Sequence, residues 1–129
     1  MQKTEKIYRG SQLVEFYDFD NAVTIDDIQK IIDILSSNGV AFRGFRLSNS
    51  LEQPEHFHRT FYSLKDFKMF PWSENIYIDD FGMFCIYQNK KIDLTFDLSR
   101  NIVITFSDGK IDLEPILIAI EEGIKKKTR

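Results

Sequence analysis

Apolar and polar residues alternate most clearly in the second half of the chain. Between residues 75 and 106 the runs NIYID, MFCIYQ, IDLTFDL and NIVITF read as four strands. The breaks between them fall at Asp80-Phe81-Gly82, Asn89-Lys90-Lys91 and Ser99-Arg100, short enough for an antiparallel meander. In IDLTFDL, Ile92, Leu94, Phe96 and Leu98 face one way and Asp93, Thr95 and Asp97 the other, which predicts a sheet with one buried face and one wet, acidic face. The same period appears in QLVEFYDF (12–19), with Leu13, Glu15, Tyr17 and Phe19 on one side and Val14, Phe16 and Asp18 on the other. It returns in VAFRGFRL (40–47), where Gly44 suggests a bulge.

Two stretches follow the helical period instead. Over residues 24–38, Ile25, Ile28, Ile32 and Leu35 recur on one stripe that Ile31 and Ile34 widen. Thr24 is the candidate N-cap, and Asn38-Gly39 is the stop. From Leu113 to Lys126, Leu113, Ile116, Leu117, Ile120 and Ile124 form a second stripe behind Asp112 as N-cap. Residues 50–68 fit either a short helix opened by Pro54, with Phe57, Phe61, Leu64 and Lys68 on one face, or a strand from His56 to Leu64; the helix is the expectation. This order predicts one α+β domain over residues 1–129, with helices packed on one face of a mostly antiparallel sheet that ends in a four-strand meander.

Composition narrows the function classes. A hydrophobic fraction of 43% excludes a disordered chain, and a single cysteine excludes a disulfide framework within the chain and any Cys-rich metal site. Cys85, inside GMFCIY, reads as a buried thiol. No stretch approaches the length of a membrane span, and the first residues lack the apolar core of a signal peptide, which predicts a cytoplasmic protein away from membranes. The net charge of −3 conceals a division: residues 1–10 carry +2, the tail Lys125, Lys126, Lys127 and Arg129 carries +4, and residues 11–124 carry −9. An acidic body disfavours nucleic acid and favours a basic protein partner.

Catalytic patterns are missing. The chain has no Gly-rich phosphate loop and no G-x-S-x-G elbow, and its adjacent carboxylates Asp26-Asp27 and Asp79-Asp80 are not an acid/base dyad if extended, because neighbours on a strand point to opposite faces. The reading is therefore non-enzymatic, with no cofactor and no metal. His56 and His58 could share a metal only on a strand, with a carboxylate as third ligand; a small metal-dependent enzyme built on them is one alternative, and an adaptor or regulatory subunit that binds another protein is a second. With 18 aromatic residues in 129, some aromatics are expected at the surface. Phe67, Phe70, Trp72, Tyr77 and Phe81 gather around a connection and a turn beside carboxylates, as in a binding hot spot.

The segment KKIDLTFDLSRNIVITFSDGKIDLEPILIAIEEGIKKK, about a third of the chain, together with the small acidic domain free of catalytic motifs, resembles the immunity proteins of bacterial polymorphic-toxin and contact-dependent growth inhibition systems. The resemblance implies tight one-to-one binding to a cognate toxin domain, often a nuclease, blocked by carboxylates that mimic phosphate. The residues expected to meet such a partner are Asp18, Asp20, Asp79, Asp80, Asp93 and Asp97 for charge, and Trp72, Tyr77 and Phe81 as apolar anchors.

Overall fold

The computed structural model describes residues 2–20, 23, 27–48, 58–69, 80–97 and 101–124. In chain order they form β1 (Gln2–Arg9), β2 (Gln12–Asp18), α1 (Ile28–Ser37), β3 (Ala41–Ser48), β4 (His58–Phe61), α2 (Leu64–Met69), β5 (Asp80–Tyr87), β6 (Lys90–Asp97), β7 (Asn101–Phe106) and α3 (Glu114–Ile124). The seven strands make one antiparallel sheet in the order β1-β2-β7-β6-β5-β3-β4. The α+β class is as the pattern predicted, and β5, β6 and β7 are the last three strands of the expected meander. The first expected strand, at 75–79, lies outside the described residues.

Tight turns fix the hairpins. Gln88 and Asn89 both take positive φ, 52° and 63°, between the paired residues Tyr87 and Lys90. That is the primed geometry whose twist matches the flanking strands. It also moves the turn one residue ahead of the expected Asn89-Lys90-Lys91 break. Gly10, φ 63°, opens the two-residue turn between β1 and β2. α1 ends in a Schellman motif: the Val40 N–H donates to the Leu35 carbonyl at 3.1 Å and the Gly39 N–H to that of Ser36 at 3.2 Å, with Gly39 at φ 84°. α1 begins at Ile28 behind Asp27; the expected cap Thr24 lies outside the described residues. At α3, Asp112 Oδ1 accepts from the Glu114 N–H at 3.0 Å, the expected cap.

Register divides the sheet into two faces. Leu13 and Tyr17 of β2, Ile102, Ile104 and Phe106 of β7, Ile92, Leu94 and Phe96 of β6, and Phe81, Met83 and Cys85 of β5 lie across from one another, and all are buried. Against them pack Ile28, Ile31, Ile32 and Leu35 of α1 and Ile116, Leu117, Ile120 and Ile124 of α3. A bulge between Phe42 and Gly44 puts Phe42 and Phe45 on this same side of β3, their rings 5.2 Å apart. A row of phenylalanine rings runs through the core: Phe19 to Phe96 (6.4 Å), Phe96 to Phe81 (6.3 Å), Phe81 to Phe67 (5.7 Å) and Phe67 to Phe45 (5.0 Å), with Phe61 edge-on to Phe67 at 5.6 Å.

Three expectations are corrected. Asp80-Phe81-Gly82 is not a turn: it opens β5, paired with β6 on one side and β3 on the other, because Phe81 continues the alternation of Met83 and Cys85 into the core. The helix expected from Pro54 gives way, in its described part, to strand β4, where Thr60 and Phe61 carry high strand propensity. Only then does the short α2 begin, with Ser63 Oγ accepting from the Asp66 N–H at 3.1 Å. Residues 2–9, read only as a basic end, form the edge strand β1.

The one buried carboxylate of β2 secures that strand. Glu15, 1% exposed, accepts from Lys3 Nζ at 2.9 Å and from the Tyr17 hydroxyl at 3.1 Å, with Lys110 Nζ at 3.5 Å. Burial raises its carboxyl pKa, but these hydrogen bonds and the two lysine charges outweigh burial and leave it below the ordinary value. Burial, with Asp93 behind it, pushes the Cys85 thiol up to about 12, as suits an inert core residue.

Two predictions follow from this packing. Phe81→Ala should cost about 3–5 kcal/mol of stability in denaturant unfolding, since its void cannot be filled by rigid neighbouring rings. A folded carboxyl that titrates below its unfolded value of about 4.3 stabilises above that pH and loses the contribution as pH falls. Thermal unfolding of the wild type should therefore lose more stability between about pH 6 and pH 3 than Glu15→Gln does.

Candidate functional site

No described helix packs on the second face, and its described residues come from the strands. Alternation places Val14, Phe16 and Asp18 of β2, Val103 and Thr105 of β7, Lys91, Asp93, Thr95 and Asp97 of β6, Asp80, Gly82, Phe84 and Ile86 of β5, and Arg46 and Ser48 of β3 on it. Val14 and Gly82 are buried, Lys91 is exposed, and the others are half-buried.

The centre of this face is a guanidinium lying flat on a glycine. Gly82 pairs with both Arg46 and Thr95, so the three residues form one row across β3, β5 and β6. A Cβ at Gly82 would fall 2.6 Å from Nη2 and 2.9 Å from Cζ of Arg46, so only glycine leaves room for the side chain there. Arg46 Nη2 donates to Thr95 Oγ1 at 3.1 Å, and Thr95 Oγ1 donates to Asp93 Oδ1 at 3.3 Å. The Phe84 ring lies 5.3 Å from the guanidinium carbon and forms a cation–π wall. Burial raises the Asp93 carboxyl pKa above its ordinary value, while Arg46 and the Thr95 hydroxyl act against it.

Carboxylates flank this centre. Asp80 and Asp97 are directly opposite partners on β5 and β6, one step along the sheet from the Arg46 row. Asp18, opposite Asn101, lies at the same end of the sheet on β2. Four of the expected residues, Asp18, Asp80, Asp93 and Asp97, are thus brought onto one face. Asp20 is not among them: it lies beyond β2, and its backbone N–H donates to Glu121 Oε2 of α3 at 3.2 Å, toward the helical layer. Phe81 is corrected from surface anchor to core, fully buried between Phe67 and Phe96, because its place in β5 turns it away from the open face. Phe67 is buried likewise. Trp72, Tyr77 and Asp79 lie outside the described residues, as does His56; His58 belongs to β4. Among the described residues no group of three or more His, Cys, Asp or Glu side chains could hold a metal ion.

The sequence reading missed Arg46, Thr95, Gly82 and Phe84 as a unit. The available signal was a glycine inside a strand run, which marks a close approach by another group. Nothing in sequence spacing says that the group is an arginine from a strand 36 positions earlier. The centre thus joins an arginine and one half-buried aromatic ring, Phe84, with polar groups around them.

Gly82→Ala should expel Arg46 from its seat without disturbing the core face. The expected result is a stability change within about 1 kcal/mol, because the atoms that must give way are the end of the flexible Arg46 side chain, with a further rise in the Asp93 pKa as its neighbouring cation moves away. Carboxyl-detected NMR titration of Asp93 in the two proteins measures that rise.

Comparison of the chain with protein-family models, with curated proteins and with solved structures returns no match in any of the three.

Proposed function

We propose that this protein is a non-enzymatic binding protein that uses the open face of its sheet to dock on a basic protein domain. The observation that carries the reading is that Asp18, Asp80, Asp93 and Asp97 share with the Arg46–Phe84 centre the face opposite the helices. Half-buried Phe16, Phe84 and Ile86 supply apolar area, and the surrounding carboxylates supply charge complementary to a cationic partner. The −9 charge of residues 11–124 adds a long-range field that speeds encounter with such a partner and repels nucleic acid. The resemblance of the C-terminal segment to immunity proteins gives the partner a class: a cognate toxin domain, neutralised in the cytoplasm by one-to-one binding. No described helix is long and apolar enough to cross a membrane, which accords with that setting.

The test is to mix the purified protein with the toxin domain encoded beside its gene. A one-to-one complex should form, with an association rate that falls as salt rises. The triple variant Asp80→Asn, Asp93→Asn, Asp97→Asn should weaken the complex at least about tenfold while the free protein remains folded. A complex indifferent to both salt and these substitutions would overturn docking through this face, and the lack of a neighbouring toxin gene would overturn the toxin assignment.

A further inference from the structure

We propose that the outer edge of β1 is a self-association surface, and that its occupant is the β1 strand of a second copy of this chain. β1 is the first strand of the sheet, and on its outer side no described strand pairs with it. Its Tyr8 is 67% exposed, an aromatic ring with no place in the core. The strand is interrupted relative to β2 between Lys3 and Glu5, so the regular pleat suited to further pairing is confined to residues 5–9.

Within that window the geometry is restrictive. A two-fold antiparallel contact must be centred on one residue facing its own copy, since the side-chain alternation of both strands has to match. Centring on residue 5 sets Glu5 against Glu5, and centring on residue 6 sets Lys6 against Lys6, both like-charge pairs. Centring on residue 8 leaves only three residues of overlap. The register centred on Ile7 uses all five: Ile7 faces Ile7 of the second copy, Lys6 faces Tyr8, and the acidic position 5 faces Arg9. Lysine against tyrosine already occurs within one chain, where Lys6 Nζ lies 5.8 Å from the Tyr8 ring centroid. Charged edge strands ordinarily discourage pairing; here the charges discourage the competing registers centred on residues 5 and 6 and complement this one.

The backbone supports the same register. Arg9 and Gln12 close a two-residue turn, so in a regular hairpin residues 9, 7 and 5 direct their N–H and C=O groups to β2, and residues 6 and 8 direct theirs outward. In the Ile7-centred pair, Lys6 and Tyr8 of one copy meet Tyr8 and Lys6 of the other, so these outward groups bond reciprocally. The two-fold axis is normal to the sheet, and the open faces of both copies therefore look in the same direction. The contact is short and sits at the small end of protein interfaces, so the dimer is concentration-dependent.

Sedimentation equilibrium of the whole chain from micromolar to near-millimolar concentration should show a monomer–dimer equilibrium. Arg9→Glu and Glu5→Arg each set like charges together twice per dimer, and each should weaken it about tenfold or more. The double variant Glu5→Arg, Arg9→Glu restores opposite charges in the same register and should recover the dimer, with circular-dichroism melts confirming that all four proteins are folded. A wild type that stays monomeric throughout the range would overturn the proposal, as would a dimer that the single substitutions leave unchanged or a double variant that fails to recover it.

Discussion

The ring row from Phe19 through Phe96, Phe81 and Phe67 to Phe45 crosses the molecule from the end of β2 to β3, and the other elements are arranged around it. Large rigid rings bury much apolar area with little side-chain entropy to lose, and offset stacking adds to that burial. Two of the rings come from neighbouring central strands, one from the short helix α2 and one from the bulged strand β3. The bulge is needed for this arrangement, since without it Phe42 and Phe45, three positions apart, would point to opposite faces. A six-residue helix such as α2 is too short to stand by its own hydrogen bonds, and Phe67, wedged among Phe45, Phe61 and Phe81, holds it in place.

Two polar clusters then stabilise opposite sides of the sheet in different ways. Glu15 lies on the helical side under two lysines and a tyrosine, and its carboxylate remains charged because every oxygen has a donor. Arg46 lies on the open side, half-buried, held by a hydroxyl, an aromatic ring and the missing side chain of Gly82. The first cluster binds the edge hairpin to the body. The second fixes a charged, planar group beside the carboxylates of the open face.

Much of the fold was legible because burial is one-sided. The alternation in IDLTFDL and the stripe of Ile28, Ile31, Ile32 and Leu35 each record a single apolar environment, and each corresponds to a strand or helix in the expected class. The misreadings fall where that record is weak. β1, QKTEKIYR, is mostly charged and polar, as an edge strand allows, and its two apolar residues Ile7 and Tyr8 are adjacent, so period-2 analysis of apolar residues passes over it. Asp80-Phe81-Gly82 has the composition of a turn, but its glycine serves to admit Arg46 and its phenylalanine belongs to the core. The aromatic excess suggested surface anchors because the chain is small; seven of its 12 phenylalanines instead join the linked rings of the core, the five of the row together with Phe42 and Phe61. The carboxylates of the open face were legible from alternation alone, whereas the Arg46 centre depends on the order of strands, which local pattern does not encode.

The one-sided core also bears on how such a protein can change over generations. Residues that determine whether the chain folds and residues that determine what its open face offers occupy alternate positions of the same strands, one facing inward and the next outward. Substitutions at Phe16, Asp93, Asp97 or Ile86 touch no ring of the core row, so this surface can diversify in charge and shape while the scaffold stays intact. Gly82 and Arg46 are the exception, because altering one displaces the other. Sequence change on this face would be expected to vary the outward positions singly, and to keep or replace that glycine and arginine together.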